Sequence, residues 1–194
     1  MILVGQYDSP FVRRVAISLR VLGFAYRHDT RSVFGDFDAM RGVNPLGRIP
    51  SLILDWLDQA VGPQRALLAP FGPQRRRSLR LIALACGAIE KAGAAAYERL
   101  IRPAAYRWPE WIARCHTQAA GAVATLAAED WPATDRLGQA EITAACMTRY
   151  MQMAVPELVP PSRYPSLDSL SARCEARPEF AATYPTAYAV PQST

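Results

Sequence analysis

The segment Tyr7-Asp8-Ser9-Pro10-Phe11-Val12-Arg13-Arg14-Val15 holds the side chains best placed to do chemistry. Proline favours the first position of a helix, so Ser9 falls where an N-cap sits and a helix is expected from Pro10, with Asp8 as a competing cap. A helix start gathers free amide donors and the positive end of the helix dipole, an environment in which a bound thiol ionises readily. A serine hydroxyl there can also donate a hydrogen bond to a thiolate that it does not attack. One side chain can therefore cap the helix and stabilise an anion.

Other chemistries find less support. Cys86, Cys115, Cys146 and Cys174 are widely spaced, form no CxxC pair and fall in segments that read as helix, so structural, reduced thiols are expected. His28 and His116 are the only histidines, and no ligand spacing points to a metal. The net charge is +5, from 22 basic and 17 acidic residues. Only Arg75, Arg76, Arg77 and Arg80 cluster, at a helix start. Without a basic stripe or interleaved aromatics, nucleic acid is not expected as a partner. The apolar runs are too short to span a bilayer, and MILVG reads as a buried strand rather than a leader, so a cytoplasmic protein is expected.

The elements that position Ser9 come in two styles. Up to Leu54 the chain alternates quickly: ILVG, FAYRHDT and PSLIL read as strands. Between the first two, Val12, Val15, Leu19 and Leu22 line one face of a helix closed by Gly23. Asp36 and Asp38 read as cap or turn residues. From Pro73 the sequence is Ala-rich, with helices expected over 76–99, 109–128, 143–154 and 165–177. Thr143 is the expected N-cap of the third, with Ile142 and Met147 at the spacing of a hydrophobic staple. The Pro-rich stretch 62–73 reads as a linker, and the Tyr- and Pro-rich tail after Arg177 as extended chain lying over the fold.

These residues and their order resemble the soluble glutathione transferases. SPFV has the place and shape of the glutaredoxin CPYC motif, with Ser9 and Val12 in place of the two cysteines, which excludes dithiol exchange. The spacing of Ser9, Arg13 and Val15 resembles the serine-type classes, in which this serine stabilises the thiolate of glutathione. NPLGRIPSLIL, residues 44–54, is similar to the family's NPxGxVPxL stretch. The resemblance implies that Pro50 is cis and that the backbone of Ile49 pairs with the cysteinyl part of glutathione, with Phe11 beside Ser9. Arg48 is either a partner for the glycine carboxylate or a solvated loop arginine. Tyr7 is the alternative thiolate stabiliser, since other classes use a tyrosine at the end of this strand. Phe11, Phe34, Tyr97, Tyr106 and Trp108 are candidates for the electrophile pocket, although aromatics at helical spacing also build cores.

The implied fold is α/β plus all-α: a thioredoxin-like glutathione-binding domain over 1–62, a linker over 63–73 and an all-helical domain over 74–194. The implied activity is conjugation of glutathione, as co-substrate and without metal, to a small hydrophobic electrophile in a homodimer. A non-catalytic binding or regulatory module, with Arg75–Arg80 as a docking face, and a glutathione-dependent isomerase or dehalogenase are the alternatives. One departure stands out. The family continues after PSLIL with another strand and an acidic-Ser motif, whereas here Leu54 runs into DWLDQAVGP with only Asp55 between strand and helix. Loss of a strand would bare the apolar edge of SLIL, so a skipped segment is the preferred explanation. It predicts a break in the backbone between Leu52 and Trp56.

Overall fold

The computed structural model describes residues 1–32, 34–36, 52–134 and 136–191. Strand β1 (Ile2–Val4) and strand β2 (Arg27–Asp29) pair in parallel, with Leu3 opposite His28. Helix α1 (Pro10–Leu22) crosses between them. Its start and stop follow the expectation: Ser9 is the N-cap, Pro10 opens the helix, and Gly23 adopts the left-handed conformation at φ 79°. Gly23 N–H donates to Arg20 O and Phe24 N–H to Leu19 O, which closes the helix as a Schellman motif. Val12, Val15, Leu19 and Leu22 are all buried.

The expected strand PSLIL is overturned from Leu52 onward. Leu52–Val61 is one uninterrupted helix, α2, with Asp55 inside it. Leu54, Leu57 and Val61 recur at helical spacing and face the core, and Gln59 Nε2 donates to Asp55 Oδ2 one turn away. Ile53 and Leu54, read as strand residues in the sequence, pack on the core as part of this helix. No break separates Leu52 from Trp56, and Asp55 is a helical residue rather than a strand-to-helix connection. Among the described residues the sheet has two strands.

Past α2 the chain has no regular element until Gly72, yet it is tied at several points. Asp58 accepts from the amides of Leu67 and Leu68 at 2.8 and 3.1 Å, and Arg65 donates to Leu22 O at 2.6 Å. Leu67 O in turn accepts from Gln139 N–H at 2.9 Å, and Ala66 O from Arg136.

The remainder is helical: α3 (Gly72–Leu100), α4 (Pro109–Ala127), α5 (Gln139–Ala154), α6 (Pro165–Glu175) and the short α7 (Pro178–Ala181). Helix α5 lies at the centre, with Ile142, Cys146, Met147 and Met151 buried. It begins four residues before Thr143. Gly138 precedes it, and the Gly138 amide donates to Glu141 Oε2 at 3.1 Å, half of a capping box. Thr143 is therefore an interior residue whose hydroxyl donates to Gln139 O, and Ile142 and Met147 are core residues rather than a staple. The tail is not extended from its start, because residues 178–181 form α7 and bury Phe180. Beyond it, residues 182–191 lack regular structure and cross the fold as expected.

The four cysteines are free and lie on α3, α4, α5 and α6. Burial pushes the Cys146 and Cys174 thiols up to about 12. At the start of α3, Arg75 donates to Ala69 O, while Arg77 and Arg80 both pair with Glu129. Much of the basic cluster is thus neutralised within the chain.

Arg13 joins the two halves. Its side chain is 1% exposed and forks onto both oxygens of Glu175 at 2.7 and 2.5 Å. It also donates to Thr183 O and Phe180 O at 3.0 and 3.3 Å.

Two predictions follow from these charges. Arg13→Met should destabilise the protein by about 3–5 kcal/mol in urea titrations, and Arg13→Met/Glu175→Met should recover much of the loss, because the single variant strands a carboxylate. Hydrogen bonds from Arg80 and then Arg77 hold the Glu129 carboxyl below its ordinary 4.5. Its stabilising effect is present above that value and lost as pH falls through the lower folded value. Denaturation midpoints of wild type and Glu129→Gln should therefore differ at neutral pH and converge on acidification.

Candidate active site at the start of helix α1

Ser9 sits at φ −71°, ψ 115°, half-buried, with its Oγ accepting from Val12 N at 3.5 Å. That distance is long for a hydrogen bond, so the cap is weak. Capping uses an oxygen lone pair and leaves the hydroxyl proton available to an anion. The amides of the first turn, Phe11 among them, have no intrahelical acceptor and add to the positive end of the dipole. Both expectations for Ser9, cap and anion donor, are compatible in this geometry.

Asp8 does not cap the helix. Its Oδ2 accepts from the Ala189 amide at 3.0 Å and so fastens the tail across the start of α1. Tyr7 is also engaged elsewhere. Its hydroxyl lies 3.0 Å from that of Tyr26, which accepts from Arg20 Nε on the last turn of α1. The Tyr7 ring stacks on His28 with centroids 4.1 Å apart. Burial, together with the Tyr26 hydrogen bond, pushes the Tyr7 phenol up to about 12. His28 Nε2 meets Gly5 O at 2.7 Å; since a carbonyl only accepts, that nitrogen carries the proton and the imidazole is structural.

The five candidate pocket aromatics separate. Phe34 and Tyr97 meet edge to face at 5.5 Å, joining the first half to α3. Phe11 is half-buried and packs against the core. Tyr106 and Trp108 are 74% and 60% exposed and line a groove of about 390 Å³ with Glu98, Arg102 and Trp111. Among the described residues, nothing from the first half or the tail lines that groove, so it is separate from Ser9. Arg48, Ile49 and Pro50 lie outside the described residues, as does Asp38. Asp36 accepts from Ser32 N, as a turn residue does.

Two further tyrosines pair between α5 and the tail. Tyr150 on α5 is buried, and its hydroxyl lies 3.2 Å from that of Tyr188 in the tail, beside Ala189. Gly93 on α3 makes room for this pair, since a Cβ there would stand 3.0 Å from the Tyr150 hydroxyl. Burial pushes Tyr150 well above the usual phenol range, and Tyr188 to about 12. The charges of Tyr97 and Asp8 add to both shifts. No periodicity links residues 150 and 188; tyrosines interspersed with prolines in the tail were the only signal.

A small α/β unit with a serine-capped first helix, joined through a tied connector to an all-helical half, has thioredoxin-like plus helical-bundle architecture, that of glutathione S-transferases. Residues 3–63 match the family model for the glutathione S-transferase N-terminal domain. A glutathione S-transferase of Methylobacterium radiotolerans, solved with glutathione sulfonate, is 29% identical with TM-score 0.88, over 100% of this chain and 98% of that one. A glutathione transferase family member of Pseudomonas fluorescens Pf-5, solved with glutathione, is 29% identical with TM-score 0.82, over 95% of this chain and 98% of the other. An uncharacterised glutathione S-transferase-like protein of Escherichia coli K12, YibF, is 25% identical over 165 residues, 78% of this chain and 82% of YibF. Residues 3–63 thus match the glutathione S-transferase N-terminal domain, and the whole chain has the architecture of these glutathione S-transferase structures. Among the described residues, no helix is long and apolar enough to cross a membrane and no group of three or more His, Cys, Asp or Glu side chains could hold a metal ion.

Because the capping contact is long, Ser9→Ala should cost no more than about 1 kcal/mol in chemical denaturation. A larger loss would mean that the hydroxyl is chiefly structural.

Proposed function

We propose that the protein binds glutathione at the start of α1 and transfers its thiolate to a small hydrophobic electrophile. The observation that carries this reading is the placement of Ser9: a hydroxyl at a helix N-terminus, held by one weak contact, with its proton free for an anion. The glutathione and glutathione sulfonate bound in the two relatives at 29% identity support the choice of thiol. Ser9 and the first-turn amides lower the free energy of the thiolate relative to the thiol, which raises the fraction of nucleophile at neutral pH. Holding the thiolate against the electrophile supplies the rest of the acceleration. Tyr7 is the weaker candidate for this role, because its hydroxyl is committed to Tyr26.

The same reading includes a homodimer. Trp56 on α2 is 54% exposed, Phe71 at the start of α3 is 81% exposed and Leu79 further along α3 is 43% exposed. These apolar side chains fit a face covered by a second copy. Four free cysteines fit a reducing compartment and hence the cytoplasm.

Titrating the thiolate ultraviolet absorbance of the bound tripeptide tests the site. Ser9→Ala should raise the thiol pKa by about 1–2 units, lowering turnover near neutral pH roughly 10- to 100-fold, while Tyr7→Phe should leave the titration within error. An unchanged titration in Ser9→Ala with a shift in Tyr7→Phe would move the role to Tyr7.

A further inference from the structure

We infer that the groove between α3 and α4 is a binding site for a single nucleotide whose base carries an exocyclic amino group. It is a second site, independent of the thiolate chemistry proposed at Ser9.

Two cavities, of about 390 and 560 Å³, share Trp108 and Trp111 and so run together as one groove. The two indoles are 23° from parallel with centroids 6.3 Å apart. Trp108 remains exposed and Trp111 half-buried, so a concave surface offers flat aromatic faces to a flat ligand. The polar groups differ at the two ends. In the first cavity Glu98 is only 7% exposed; its Oε1 accepts from Trp108 N–H at 3.0 Å and pairs with Arg102 Nε at 2.8 Å. Its Oε2 accepts no hydrogen bond from the described residues, and a carboxylate oxygen so deeply placed calls for a donor. Lys91 and Arg114 line the second cavity. Among the described residues neither forms an ion pair, whereas Arg77 and Arg80 are neutralised by Glu129. The Lys91 ammonium, that of the only lysine in the sequence, lies 5.6 Å from the centre of the Trp111 ring. Glu110 also lines this cavity, but it is exposed and stands in the first turn of α4, where the helix dipole offsets its charge.

The groove therefore reads, in order, as a hydrogen-bond acceptor, an aromatic platform and a pair of cations. A complementary ligand carries an N–H at one end, a flat ring in the middle and an anion at the other. Nucleotides with an amino-bearing base have that order: the base stacks on the indoles, its amino group donates to Glu98 Oε2, and the phosphate meets Lys91 and Arg114. Glu98 and Lys91 are seven residues apart on α3, a rise of about 10 Å, which suits the reach from the amino edge of a base to its phosphate. Two cations suit one phosphate. A nucleic-acid strand would need a longer basic track, which this groove lacks. An aromatic carboxylate would use the rings and the cations but would give Glu98 no donor.

The test is calorimetric titration of the whole protein with cytidine monophosphate, uridine monophosphate and cytidine. The first two differ at the base only in an amino group against a carbonyl, so cytidine monophosphate should bind at least about fivefold more tightly. Trp108→Ala should weaken it by about 5- to 150-fold through lost stacking. Lys91→Gln and Arg114→Gln should each weaken cytidine monophosphate by about tenfold and leave the weaker binding of cytidine unchanged, a split that loosening of the fold would not produce. Excess glutathione should not compete. Absence of saturable binding at millimolar cytidine monophosphate overturns the assignment, as does equal affinity for the two nucleotides or for wild type and Lys91→Gln. Competition by glutathione would move the nucleotide to the start of α1 and overturn it too. If instead Trp108→Ala dissociates an oligomer in sedimentation and the wild type binds no nucleotide, the groove belongs to a second copy of the chain and the assignment falls. Each of these results leaves the role of Ser9 to its own titration.

Discussion

Removing the Arg13 guanidinium from water is expensive, and most of the architecture around α1 is arranged to compensate for it. A buried cation persists only where its donors are met, and here a carboxylate from α6 and two carbonyls from the segment after it surround the guanidinium. The rings of Phe180 and Tyr184 lie 5.6 and 5.7 Å from it and add a cation–π component. Arg13 fixes where the tail begins, and Asp8 and Tyr150 hold it further along. Helix α1 and the C-terminal segment are therefore tied together, although more than 150 residues of chain separate them.

The start of α1 satisfies several demands at once. Ser9 caps the helix weakly through its oxygen and keeps its hydroxyl proton uncommitted; Asp8, the neighbouring residue, holds the tail; Arg13, one turn on, holds the second half. A carboxylate beside the proposed thiolate would oppose it electrostatically. Its charge is spent on a backbone amide of the tail, and the dipole and first-turn amides act on the other side of Ser9. Tyr7 illustrates the opposite case. It is close in sequence and chemically capable, but Tyr26 and His28 claim its hydroxyl and its ring.

Local signals were enough to find α1, because the Ser-Pro start, the apolar stripe and Gly23 all point the same way. The fold class was readable for a related reason, since the change from short alternating runs to Ala-rich helix is visible without tertiary knowledge. Leu52–Leu54 were misread because three apolar residues suit a strand or a buried helix equally, and only the continuation through Leu57 and Val61 distinguishes them. Thr143 looked like a cap because Thr favours caps, but Gly138 and Glu141 made a better start four residues earlier. The Tyr150–Tyr188 pair was out of reach for a different reason. It depends on a tertiary crossing and on the missing side chain of Gly93, neither of which leaves a periodic trace. Tyr106 and Trp108 were sensible aromatic candidates, and the bend into a 3₁₀ turn at Ala104–Tyr106 carries them to another surface.

The connector after α2 has a consequence for motion. Asp58 and Leu22 hold it from the first half, while Gln139 and Arg136 hold it from the second. A chain segment pinned on both sides cannot serve as a free joint, because a large rotation of one half against the other must break its hydrogen bonds to at least one of them. Accommodation of guests of different size then falls to the tail, which lacks regular structure beyond α7 and whose grip on Asp8 is a single amide. In the proposed transferase, selectivity and product escape would then depend on the last few residues of the described chain more than on the joint between the halves.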